Sequence, residues 1–347
     1  MRPYLFRLPE WLPGVFSGRP IFSYGVMLGL SFIFGWYLTS YFATKEGFDS
    51  KVTGNTLFLA IVGALFGARL LFFVSNPSLP FSLKSFFSYQ DGGLVAYGGY
   101  LGGIFFSYAY LRWKKNNFFA FADQATPQLA LGLGFTRVGC FMYGCDYGRP
   151  TDSFLGISFP RWGFDSALSQ YGLHKGSAAF NHHVNKCVQL LNDVGKLGEI
   201  NYNPGNMTTT MVEQCKAFGA KIHGTKSFEA LAQVMTQSFP VHPTQLYASL
   251  AGFAIFAFLL WARKHRRFDG QVFLLFLLTY GIFRFLIEFV RDDLQRGNVG
   301  VLSTSQFISL LLVGAAGIGW WLLPRQLNRL TLEPAPAKTG GGKKRKH

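Results

Sequence analysis

The chain has 347 residues, of which 49% are hydrophobic and only 14% charged, with 38 phenylalanines and a formal net charge of +16. A soluble domain carries about 25% charged residues, so this composition excludes an ordinary soluble fold and points to a polytopic membrane protein. The positive residues lie in short loops and the C-terminal tail, the pattern of membrane topology and not of a basic binding face, so no nucleic acid is expected as a partner.

A spanning helix needs about 20 mostly apolar residues. In chain order the candidate spans are 21–43, 55–74, 92–111, 118–142, 245–261, 271–290 and 306–323. The arm before them, residues 1–20, carries Arg2, Arg7, Arg19 and several prolines, and the apolar run after it is too long for the core of a signal peptide. No cleavable leader is therefore expected. Trp11 and Phe16 suit an amphipathic segment at the membrane interface. The loops 112–117 and 263–270 and the tail 324–347 are strongly basic. Placing them in the cytoplasm requires an odd number of spans and an outside N-terminus. The expected fold class is an all-α polytopic membrane protein with seven transmembrane helices, four within 21–142 and three within 242–323. Residues 143–241 then fall outside, as a loop followed by an inserted extracytoplasmic domain over 161–240. Cys187 and Cys215 lie in that insert and suit a disulfide in an oxidising compartment, although four cysteines allow three pairings.

Four segments set arginines, glycines and aromatics inside apolar stretches: 63–70 (GALFGARL), 91–103 (DGGLVAYGGYLGG), 136–152 (TRVGCFMYGCDYGRPTD) and 280–291 (YGIFRFLIEFVR). A guanidinium at mid-membrane costs roughly 2.5–3.5 kcal/mol even on lenient scales, so Arg69, Arg137 and Arg284 mark a site for an anion. At helical rise all three fall roughly 7–11 Å below the outer surface, in the headgroup region of the outer leaflet. Tyr280, Arg284, Glu288 and Arg291 recur at i, i+4, i+8 and i+11, one narrow stripe of a helix. Glu288 can pair with Arg284 or Arg291, which leaves the stripe at net +1. Alone, that stripe reads equally as a structural ion pair. Arg69 and Arg137 on other spans turn the reading toward phosphate, whose oxygens the arginine fork matches.

Gly63/Gly67, Gly98/Gly102 and Gly99/Gly103 are spaced for close helix packing. The doublets Gly92-Gly93 and Gly98-Gly99 would also let a lipid headgroup approach the backbone. His242 at the start of the fifth span reads as a cap or as a titratable imidazole beside the arginines. Cys140 and Cys145 lack the spacing of a metal or redox motif, which leaves core packing, an interfacial disulfide or a reactive thiol. No metal or other cofactor is expected.

Taken in order, Tyr24-Gly25 with GARL, then DGGLVAYGG, then TRVGCFMYGCDYGRP, then HPTQLY followed by YGIFRFLIEFVR resemble the prolipoprotein diacylglyceryl transferase family. The resemblance implies a seven-span protein of the bacterial inner membrane with its active site toward the outer leaflet. The implied partners are phosphatidylglycerol, other membrane lipids and prolipoprotein signal peptides bearing a lipobox cysteine. The implied reaction moves the sn-1,2-diacylglyceryl group of phosphatidylglycerol onto that thiol, forming a thioether and releasing glycerol phosphate.

By this resemblance Arg137 and Arg284 match the critical arginines and are assigned to phosphate, with Arg69 and Glu288 supporting them. Tyr280, Gly148 and Arg149 match further positions, and Tyr24 lines the lipid pocket. Gly98, Gly99 and Arg291 complete the expected substrate-binding set. Two departures stand out. Many members carry His-Gly-Gly where this chain has Tyr97-Gly98-Gly99, so the thiol proton is expected to go to Tyr97 or His242, or to be lost in the field of the arginines without a dedicated base. The usual G-N-F-x-N-G-E is here Gly139 to Cys145, without the asparagines or the glutamate. The alternative implied is an altered paralogue that binds lipid or lipoprotein, or uses another acceptor.

Overall fold

The computed structural model describes residues 4–13, 17–77, 82–87, 93–151, 153–159, 238, 240–292 and 297–330. The insert with Cys187 and Cys215, Gly92 and the tail from 331 lie outside the described residues.

The N-terminal arm is a hairpin: β1 (Tyr4–Arg7) pairs antiparallel with β2 (Pro20–Phe22). Prolines there hinder a helix, and a strand edge tolerates them. The helices α1 (Ser23–Lys45), α2 (Ser50–Ser75), the short α3 (Leu83–Phe87), α4 (Ala96–Trp113) and α5 (Phe118–Tyr143) follow. After the insert come α6 (Thr244–Lys264), α7 (Gln271–Ile287), the small hairpin β3 (Asn298–Val299) and β4 (Leu302–Ser303), and α8 (Thr304–Leu330). Each apolar segment of the sequence is thus helical. Residues 23–45, 50–75, 244–264 and 304–324 are long and apolar enough to cross a membrane, whereas α7 is apolar but only 17 residues long. The protein is an α-helical membrane protein.

The bundle is organised around α5, which packs on α1, α4, α6 and α7. That position explains its polar content. Asp123, Gln124, Thr126 and Gln128 are all buried. Thr126 Oγ1 donates to the Ala122 carbonyl (2.6 Å) and Gln128 Nε2 to that of Gln124 (3.1 Å), so these two donors are satisfied within the helix itself. Asp123 reaches across to α7, where its carboxylate accepts from the N–H groups of Gly270 (2.9 Å) and Phe273 (3.0 Å). It caps a helix that begins on a glycine with φ +93° and has no side-chain cap of its own. Asp123→Ala strands two buried donors and should lower stability by about 1–3 kcal/mol. Thermal unfolding of the purified protein in detergent reads this, and Asp123→Asn should lose less because it keeps one acceptor.

The second tight pair is α2 on α4. A Cβ on Gly67 would lie 2.3 Å from the Gly98 carbonyl oxygen, and one on Gly102 would lie 2.1 Å from that of Gly63. No larger residue fits there, so these glycines set the backbone-to-backbone approach of the two helices. Helix α7 also packs on α8, which brings Ser305 to Arg284.

Candidate active site

The C-terminus of α5 turns on Gly144, whose φ of +77° is the left-handed conformation that glycine adopts at no steric cost. Two N–H groups, those of Gly144 (2.8 Å) and Cys145 (3.2 Å), return to the Cys140 carbonyl. Asp146 follows, also left-handed at φ +57°. From there the loop is sewn to two distant segments. Gly148 N–H donates to the His242 carbonyl (2.9 Å), Arg149 N–H to that of Val290 (2.7 Å), and His242 N–H to that of Arg149 (3.0 Å). Thr244 Oγ1 donates to the Asp146 carbonyl and Gln245 Nε2 to that of Cys145, each at 2.6 Å. A Cβ on Gly148 would sit 2.7 Å from both Cβ and O of His242, so this seam requires glycine.

The seam changes one expectation. The stripe from Tyr280 to Arg291 was expected on a single helix, but α7 ends at Ile287, and Arg291 sits in a β-bridge to Gly148. The Val290 carbonyl that would continue the helix register is engaged by Arg149. Arg291 still reaches the site, from a different backbone direction.

The side chains collect at one cleft lined by Arg137, Asp146, Thr244, Tyr280, Arg284 and Arg291, among others. Asp146 bridges two of the cations: its Oδ2 accepts from Arg137 Nη1 at 2.6 Å, and its Oδ1 from Arg291 Nη2. Arg284 donates to Glu288 (2.5 Å) and to Ser305 Oγ (2.6 Å). Three guanidiniums against two carboxylates leave net +1 in a largely buried setting. Such a cluster is charged enough to attract an anion and neutralised enough to be buried. Tyr24, Tyr100 and Tyr280 lie within electrostatic range of Arg137, and Tyr97 within that of Tyr100 and Tyr280.

The structure therefore brings together Arg137, Tyr280, Arg284, Glu288 and Arg291, with Tyr24 and Tyr97 nearby. Arg69 is placed differently. It is buried, donating to the carbonyls of Phe86 (3.1 Å), Gly93 (3.0 Å) and Ser85 (2.6 Å), with Phe72 and Phe73 stacked on the guanidinium. It holds the segment before α4 against α2. Gly98 serves the α2–α4 contact, and Gly99 faces Ala64 and Ala68 of α2. His242 lies on the seam with Nδ1 3.3 Å from the Tyr247 hydroxyl. The Arg149 side chain is exposed. Asp146 and Ser305 escaped the sequence reading. The signal for Asp146 was an excess of intramembrane arginine over carboxylate, which demanded one more acid nearby.

Cys140 and Cys145 are free thiols. Their sulfurs and an Asp146 oxygen lie within 4.8 Å of one another, a donor set of the kind that soft cations use. Both Asp146 oxygens already accept from guanidiniums, and Arg137 Nη1 is 3.9 Å from the Cys140 sulfur, so the local field opposes a metal dication. The Cys145 thiol is held well above the ordinary thiol range, first by its hydrogen bond with Cys140 and then by burial. A thiol so held is a poor nucleophile.

The comparisons with known proteins fit this geometry. The profile of the prolipoprotein diacylglyceryl transferase family matches residues 13–322. The chain belongs to that family. Among its relatives are the phosphatidylglycerol–prolipoprotein diacylglyceryl transferases of Clostridium tetani, 28% identical over 90% of this chain and 94% of that one, and of Proteus mirabilis, 29% identical over 88% and 90%. A second enzyme so named from Clostridium perfringens is 28% identical over 86% of this chain and 90% of its own length.

Proposed function

We propose that this protein transfers the sn-1,2-diacylglyceryl group of phosphatidylglycerol to the lipobox cysteine thiol of prolipoproteins. The acceptor sulfur attacks the glyceryl carbon, a C–S bond forms, the C–O bond to phosphate breaks, and glycerol phosphate leaves with the electron pair. The thiol loses its proton. The observation that carries the reading is the net positive cluster of Arg137, Arg284 and Arg291 on one cleft, in a chain of this family. Charge that builds on the leaving phosphate is met there by fixed guanidiniums, which need no reorganisation at the moment of reaction.

In this reading Arg137 and Arg284 contact the phosphate, and Asp146 and Glu288 set their direction. Tyr280 orients the headgroup, Tyr24 borders the acyl chains, and Arg149, exposed at the rim, meets the headgroup or the acceptor peptide. Tyr97 and His242 are the candidate bases. The chain crosses the bacterial cytoplasmic membrane seven times with its N-terminus outside, so the cleft opens to the outer leaflet and the 161–240 insert lies outside. The basic loops support that orientation.

Purified protein in detergent, given phosphatidylglycerol and a lipobox peptide, should release glycerol phosphate only when the peptide carries its cysteine. No release beside an active family enzyme would replace this reading with that of a lipid-binding paralogue.

A further inference from the structure

The arginine chemistry leaves the two cysteines beside it without a role. We propose that Cys140 and Cys145 are a modification site, forming a reversible intramolecular disulfide that closes over the end of α5 and fixes the loop carrying Asp146.

Three observations support the pairing. The left-handed turn at Gly144 folds the chain back so that Cys145 N–H meets the Cys140 carbonyl at 3.2 Å, which lays residues i and i+5 side by side. Disulfides need close, converging backbones of this kind. The sulfurs lie within 4.8 Å of each other, and the Cys145 sulfur is 3.8 Å from the Cys140 carbonyl oxygen. Neither thiol is committed to a metal, because Asp146 is engaged by Arg137 and Arg291. The Cys145 sulfur also lies 4.0 Å from the Asp146 carboxylate, so restraining one restrains the other.

The oxidant is a disulfide, RSSR. The Cys140 sulfur attacks it, giving a mixed disulfide and one RS⁻. Cys145 then gives up its proton and attacks the Cys140 sulfur, releasing the second RS⁻. Two protein thiols lose two electrons and two protons, and one RSSR becomes two RSH.

Whether the pair forms is independent of the transferase reading, since thiol mapping needs no substrate. The full-length protein in detergent is treated with oxidised glutathione, alkylated, digested and mapped by mass spectrometry. The expected result is a Cys140–Cys145 link that dithiothreitol reverses, with a thermal midpoint several degrees higher in the oxidised parent and no such rise in Cys145→Ser. Continued alkylation of both thiols, glutathione adducts alone, or a link to Cys187 or Cys215 would overturn the pairing. A linked pair with an unchanged midpoint would overturn the fixing of the loop.

Discussion

Arg137→Gln should lower turnover by roughly 10²–10³-fold, the loss typical of removing one fixed donor from a developing oxyanion, while the protein stays folded. The arrangement of the acids makes the two effects separable. Asp146 is held by Arg137 and Arg291 together, so removing the first leaves the carboxylate with a cation and not stranded in the bundle. Glutamine keeps most of the volume and one donor, so α5 has no cavity to collapse into. Glycerol phosphate release and the thermal midpoint, measured on one preparation, should therefore diverge. Arg137→Lys should recover only part of the rate, because an ammonium restores the charge without the fork that grips two oxygens. A Gln variant within a few-fold of the parent would remove Arg137 from the phosphate.

The helices were legible because hydropathy over about 20 residues is a local property, but several of their ends were not. The third apolar segment was expected to start at Gly92, yet α4 starts at Ala96, since Arg69 of α2 takes the Gly93 carbonyl and Gly93 sits at φ +80°. The sixth was expected to run to Val290 and stops at Ile287, where Arg149 engages the chain. Both stops are imposed from residues far away in sequence. The arginines could be read as functional because a cation in an apolar stretch needs a reason, and the same rule misplaced Arg69, whose reason is three backbone carbonyls. Asp146 had the opposite problem. A carboxylate in a polar loop looks solvated until the loop is folded back onto two guanidiniums. Asp123, a carboxylate within an apolar segment, is the cap of a neighbouring helix, a partner 147 residues away that no local pattern announces.

The other large effect lies at Arg284, where stability and activity are entangled and a single substitution misleads. Glu288 is only 4% exposed, and Arg284 neutralises it at 2.5 Å. Arg284→Ala should destabilise the protein by about 3–5 kcal/mol, the usual consequence of leaving one half of a buried ion pair behind, so lost turnover in that variant says nothing about phosphate. Removing both charges with similar volume, Arg284→Met with Glu288→Leu, leaves no buried charge and should restore most of the thermal midpoint. Turnover should remain lost in the double variant: Arg137 and Arg291 against Asp146 keep the cleft at net +1, but no guanidinium on α7 is left to meet the leaving phosphate. Recovered stability with recovered turnover would make the pair structural, a bolt between α7 and α8 through Ser305. Recovered stability without turnover would place Arg284 on the leaving phosphate, and that combination is the one expected.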